Sequence, residues 1–117
     1  MNDMQAIAKI LVVFRESEKI GAVNMCLLDE KSLRVTERER DALVIALLHA
    51  GLIEGVATTE DVDNASDEVL WNLSRPRVTL AGIEYMSTDS NFKKAARDIA
   101  MTEGQTLLGA LCSRFAQ

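Results

Sequence analysis

The chain has 117 residues, 48% apolar and 26% charged, and 18 Asp and Glu against 13 Lys and Arg give a formal net charge of −5. This suits one compact domain with a core and is too short for two. It excludes collagen-like, disordered and disulfide-scaffold classes, whose Gly, Pro, charge or Cys biases are absent. Cys26 and Cys112 read best as buried thiols of a reducing compartment, with a single bridge between them as the alternative. No apolar run reaches membrane-spanning length and the N-terminus lacks the basic and apolar regions of a signal peptide, so a cytoplasmic protein is expected.

In chain order, Ile7, Ile10, Leu11 and Phe14 fall at helical spacing, with Lys9, Arg15 and Glu16 set apart from them. They predict a first helix from Asn2 or Asp3 to near Ser17. Gly21 breaks the pattern, and residues 22–28 are short and apolar, as in a small strand or an extended segment. Asp29 can cap a very short helix whose inward anchors are Leu33 and Val35. Thr36-Glu37-Arg38-Glu39 is a capping box, in which hydroxyl and carboxylate each satisfy an orphan backbone N–H. The helix it starts runs through Leu43, Ala46, Leu47 and Ala50 and stops at Gly51, with Leu52 folding back. Short helix, turn and capped helix make helix-turn-helix spacing.

Residues 52–57 begin an extended segment and residues 69–73 form a second β-favouring run, with a polar, acidic stretch between them. Two strands around a polar tip predict a β-hairpin in the position of a wing. Pro76 fits where the second strand leaves the sheet. Thr79 caps a further helix holding Leu80, Ile83, Tyr85 and Met86, and Asp89 or Ser90 caps a last helical region with Phe92, Ala95, Ala96 and Ile99 on one side. A kink is expected at Gly104, after which Leu107, Leu108, Leu111, Cys112 and Phe115 continue an apolar stripe. The expected class is mostly α with a small β-hairpin (α+β). It comprises a winged helix-turn-helix over residues 1–87 and a C-terminal helical extension over 88–117 that packs on it or on a dimer mate.

Three stretches resemble a known group: Leu28-Asp29-Glu30-Lys31-Ser32-Leu33-Arg34-Val35-Thr36-Glu37, the helix ending His49-Ala50-Gly51-Leu52-Ile53-Glu54-Gly55, and Arg77-Val78-Thr79-Leu80-Ala81-Gly82-Ile83-Glu84-Tyr85-Met86. They look like the YjcQ-type winged-helix proteins, and equally like a related family of unknown function common in phages and prophages. The resemblance spans most of the chain. Its motifs are structural: Gly51 as helix stop, Thr79 as cap, Gly82 as a close-packing position. It therefore implies a fold more than an activity. Relatives of this kind often carry polar or basic residues midway along the recognition helix, whereas here the middle reads Ala42-Leu43-Val44-Ile45-Ala46-Leu47-Leu48.

Winged-helix proteins place the second helix of the motif in the major groove and the wing on the backbone. On that expectation Arg38 and Arg40 read or anchor double-stranded DNA, and Arg75, Arg77, Lys93 and Lys94 meet phosphates. Glu37, Glu39 and Asp41 interleave with the first pair, so a solvated helix start is the competing account. Residues 51–70 hold six acidic residues and no Lys or Arg, and an acidic tip repels phosphates. Hence a second expectation, a protein-binding adaptor or inhibitor of anti-defence type that meets a basic partner through Glu60, Asp61, Asp63, Asp67 and Glu68 and through an exposed Ile45. A homodimer is expected through Leu107, Leu108, Leu111 and Phe115.

No enzyme chemistry is expected. His49, the only histidine, sits in the last turn of a helix, and no nucleophile has a base at motif spacing. No metal or other cofactor is expected either, since neither cysteine has a neighbouring ligand, and Asp61-x-Asp63-Asn64 lacks the sixth-position Gly and twelfth-position Glu of a calcium loop.

Overall fold

The structure, a computed structural model, describes residues 3–59 and 68–116. It is mostly helical with one two-stranded antiparallel sheet. Helix α1 (Asp3–Ile20) runs through the middle of the molecule. Ala8, Lys9, Ile10, Leu11, Val12, Val13 and Phe14 are consecutive and all buried, so this helix is covered on every side. It is longer than the spacing predicts and ends at Gly21, which takes a left-handed conformation (φ +78°). The amphipathic reading fails at Lys9. The residue placed on the polar side has no solvent exposure, and its ammonium lies 2.8 Å from the Glu103 carboxylate and donates to the Ser32 carbonyl at 2.8 Å.

Residues 22–28 form no strand; Met25–Leu27 make a single 3₁₀ turn capped by Asn24, whose side chain accepts from the Cys26 N–H. Helix α2 (Glu30–Leu33) and helix α3 (Glu37–His49) follow. After α3 the N–H of Gly51 bonds the Leu48 carbonyl and that of Leu52 the Leu47 carbonyl, both at 3.1 Å, with Gly51 at φ +78°. This is the Schellman arrangement, which only a residue free to adopt positive φ closes without strain.

Strand β1 (Ile53–Glu54) pairs antiparallel with β2 (Arg77–Val78), Ile53 opposite Val78 and Glu54 opposite Arg77. The expected second strand at 69–73 is corrected: that run contributes one isolated bridge, Thr58 to Val69, and then a 3₁₀ turn at Trp71–Leu73. Pro76 consequently leads into the second strand instead of leaving it. Helix α4 (Leu80–Thr88) is capped by Thr79, whose hydroxyl accepts from the Gly82 N–H and donates to the Gly51 carbonyl at 2.6 Å. Gly82 is buried where a Cβ would strike the Leu52 carbonyl and the Val78 side chain, which makes it a close-packing position. Leu80, in its first turn, is 81% exposed.

Helix α5 (Ser90–Thr102) starts at Asp89 and buries Phe92, Ala95, Ala96 and Ile99 on one side, as the spacing predicts. At Gly104 the chain breaks outright, and helix α6 (Leu107–Ser113) restarts from a Thr106 cap. Both pack on α1 in the same chain. Among the described residues no helix is long and apolar enough to cross a membrane. Both cysteines are free; Cys112 is buried, but Cys26, expected inside, is exposed.

Candidate functional site

The segment from α2 to α3 is built by local chemistry. The Asp29 carboxylate accepts the Ser32 N–H at 2.7 Å, α2 ends at Arg34 in the left-handed region (φ 59°, ψ 31°), and Leu33 and Val35 anchor the turn from inside. The Thr36 hydroxyl then accepts from the Glu39 N–H at 3.1 Å while the Glu39 carboxylate accepts the Thr36 N–H at 3.0 Å. That backbone N–H, and next the Thr36 hydroxyl, hold the Glu39 carboxyl below its ordinary pKa, as the Ser32 N–H does for Asp29. Two of the acidic groups around the turn are thus occupied as caps.

The exposed face of α3 presents Arg38, Ala42, Ala46 and His49. Arg38 makes no ion pair with any described residue. Lys31 and Arg34, which the helix-turn-helix spacing does not single out, are exposed on the preceding helix and turn. Arg40 does not join them, which corrects the expectation that it contacts DNA. It is 7% exposed: its Nε donates to Asp41 at 3.0 Å, its Nη1 donates to the Leu28 carbonyl at 3.1 Å, and the guanidinium lies 5.0 Å from the centre of the Trp71 ring. Asp41 is buried beside it, and its carboxylate also accepts the Val69 N–H at 3.1 Å and the Trp71 indole N–H at 3.2 Å.

The inward face of α3 is therefore Arg40, Asp41, Val44 and Leu47, with Ala46 and Ala50 outside. Counting four and three residues back from Val44 puts 40 and 41 inward, a signal present in the sequence but overridden by the assumption that charge faces water. Ile45 is also corrected: it is half-buried and packs on the core instead of standing exposed.

Arg77 is exposed and bridged across the strands to Glu54 at 2.9 Å. Arg75 is exposed, with its backbone N–H on the Gly55 carbonyl. Lys94 is exposed and Lys93 half-buried on α5, a helix that packs on α1, α4 and α6. With Arg40 buried and Lys93 half-buried, the six basic candidates do not form one exposed set. Glu60, Asp61, Asp63 and Asp67 lie outside the described residues; Glu68 is exposed. Of the dimer candidates, Leu108 and Leu111 are corrected to core positions and Phe115 is half-buried against the core. Leu107, 58% exposed, lines a groove of about 150 Å³ with Val13, Ile20, Leu27 and Leu111.

Among the described residues no group of three or more His, Cys, Asp or Glu is placed to hold a metal ion. Cys112 lies near Lys9 and Glu103; desolvation pushes its thiol up to about 12, the lysine charge opposing and the carboxylate adding to the shift. Compared with known proteins, residues 8–102 match the family described as YjcQ protein. No curated protein and no solved structure matches.

Proposed function

The chain belongs to the YjcQ protein family, and we propose that it is a non-enzymatic winged helix-turn-helix protein that binds double-stranded DNA as a transcriptional regulator. The observation that carries this reading is Arg38. It stands exposed in the first turn of a capped helix, presented by a short helix and a tight turn and followed directly by an antiparallel strand pair. A guanidinium at that end of a helix can reach phosphates or base edges. Lys31 and Arg34, exposed on the preceding helix and turn, add positive charge to the motif, while Glu39 and Asp29 are held as caps. In this reading α3 is the recognition helix, the β1–β2 pair is the base of the wing, Arg75 and Arg77 meet phosphates from it, and Arg40 belongs to the scaffold.

The test is duplex binding titrated with salt. Log affinity should fall with log salt at about 0.9 per phosphate neutralised, and Arg38→Ala should weaken binding and flatten the slope. No binding at low salt rejects the reading. The alternative, a protein-binding adaptor or inhibitor, is favoured by the uncharged middle of the α3 face at Ala42 and Ala46 and by the net charge of −5. It requires that neutralising Glu60, Asp61, Asp63, Asp67 and Glu68 together abolish capture of a basic partner.

A further inference from the structure

The two halves of the connection between β1 and β2 are bonded to each other. Leu70 N–H reaches the Ala57 carbonyl at 2.8 Å, Thr59 N–H the Glu68 carbonyl at 2.9 Å, and the Ser74 hydroxyl accepts from the Ala57 N–H at 2.9 Å. None of these bonds ties the connection to the helices. Among the described residues, the hydrogen bonds that tie it to α3 converge on one carboxylate. Asp41 Oδ2 accepts the Val69 N–H, and Oδ1 accepts both the Trp71 indole N–H and the Arg40 Nε. Arg40 in turn holds the Leu28 carbonyl and covers one side of the Trp71 ring, while Phe14 meets that ring at 6.1 Å between centroids. The Val69 N–H, which points away from its bridge partner Thr58, is thus taken by a side chain of α3.

We infer that Asp41 is the positioning residue for the wing: held by Arg40, its carboxylate sets Val69 and Trp71 against α3 and so fixes where the chain returns through Arg75 and Arg77. The consequence for DNA rests on the winged-helix reading; the placement of Val69 and Trp71 does not. Carboxylate chemistry is required because three donors converge on two oxygens. An amide of the same shape has a single acceptor oxygen and adds two donors, so a buried N–H and the Arg40 charge lose their partner.

Trp71 is the only tryptophan, so its fluorescence reports this point alone. Asp41→Asn should keep the helical circular dichroism of the parent while Trp71 emission shifts to the red and becomes more accessible to acrylamide. Its duplex-binding salt slope should fall by about 1 to 2, one for each phosphate that Arg75 and Arg77 cease to neutralise, with the Arg38→Ala effect retained. Leu111→Ala, on the core side of α6, is the control: it lowers stability but leaves the emission and the salt slope unchanged. If Asp41→Asn does not fold, Arg40→Gln, which keeps a donor and removes the countercharge, is read the same way. Parental emission and quenching in a folded Asp41 or Arg40 variant overturn the inference. If the parent chain binds no duplex, the DNA reading falls while the Trp71 signal still decides the role of Asp41.

Discussion

Replacing Lys9 by Met isolates the contribution of a fully buried charge. The aliphatic stem keeps most of the lysine's volume, so little cavity forms, but the Glu103 carboxylate and the Ser32 carbonyl each lose a donor at 2.8 Å. Breaking a buried ion pair from one side costs about 3 to 5 kcal/mol. Glu103 retains 14% side-chain exposure, so water can partly compensate it, and the loss falls near the lower end, about 3 kcal/mol. For a chain of this size that is a drop of roughly 12 °C in the melting temperature, at about 4 °C per kcal/mol. Urea unfolding followed by circular dichroism measures it. Lys9→Met with Glu103→Gln should recover all but about 1 kcal/mol, because a neutral pair leaves no uncompensated charge. A single Lys9→Met variant within about 1 kcal/mol of the parent would refute the reasoning, since the pairing would then barely outweigh the desolvation.

Thr36→Ala should destabilise by about 1 kcal/mol as a lost N-cap, and the Glu39 pKa measured by NMR should rise only part of the way toward its ordinary 4.5, because the backbone N–H of residue 36 still donates to it. The parent's folded pKa there lies below the unfolded one, so this cap contributes above pH 4.5 and fades as the pH falls, a dependence that Thr36→Ala should weaken but not abolish. Gly82→Ala should cost about 2 kcal/mol despite alanine's better helix propensity, because the added Cβ meets the Leu52 carbonyl and Val78; urea midpoints decide, and a stabilised variant would contradict the close packing. Thiol titration should find Cys26 reactive in the folded chain and Cys112 only after unfolding. Because the Cys112 thiol ionises at about 12 when folded and at 9.0 in its ordinary state, it contributes stability below pH 9 that is lost as the pH climbs toward 12; Cys112→Val should flatten that alkaline decline.

What the sequence made legible was local. The capping box at Thr36, the stop at Gly51, the caps at Thr79 and Asp89 and the inward side of α5 each depend on residues within a few positions of one another, where backbone sterics and hydrogen bonding decide alone. What it hid was set at a distance. Lys9 is inside because Glu103 and Ser32 receive it, and Arg40 is inside because Leu28, Asp41 and Trp71 do. The run at 69–73 has β-favouring side chains, but beyond the Val69 bridge the backbone closes a 3₁₀ turn at Trp71–Leu73, while Asp41 receives the Val69 and Trp71 donors from outside the pairing. The same distance effect thinned the basic candidates: Arg40 went to the interior, leaving Arg38 exposed where the sequence placed it.

The position of α1 also constrains the order of events during folding. Its seven consecutive buried residues belong to the earliest helix in the chain, yet one of its walls is α6, and Arg114 meets Glu16 across 98 residues of sequence. An apolar helix with no wet face cannot shed water piecemeal, and pairings of such sequence separation form slowly. A nascent chain that has not yet released residues 107–113 therefore carries an α1 it cannot bury, and the domain closes only when its last helix arrives.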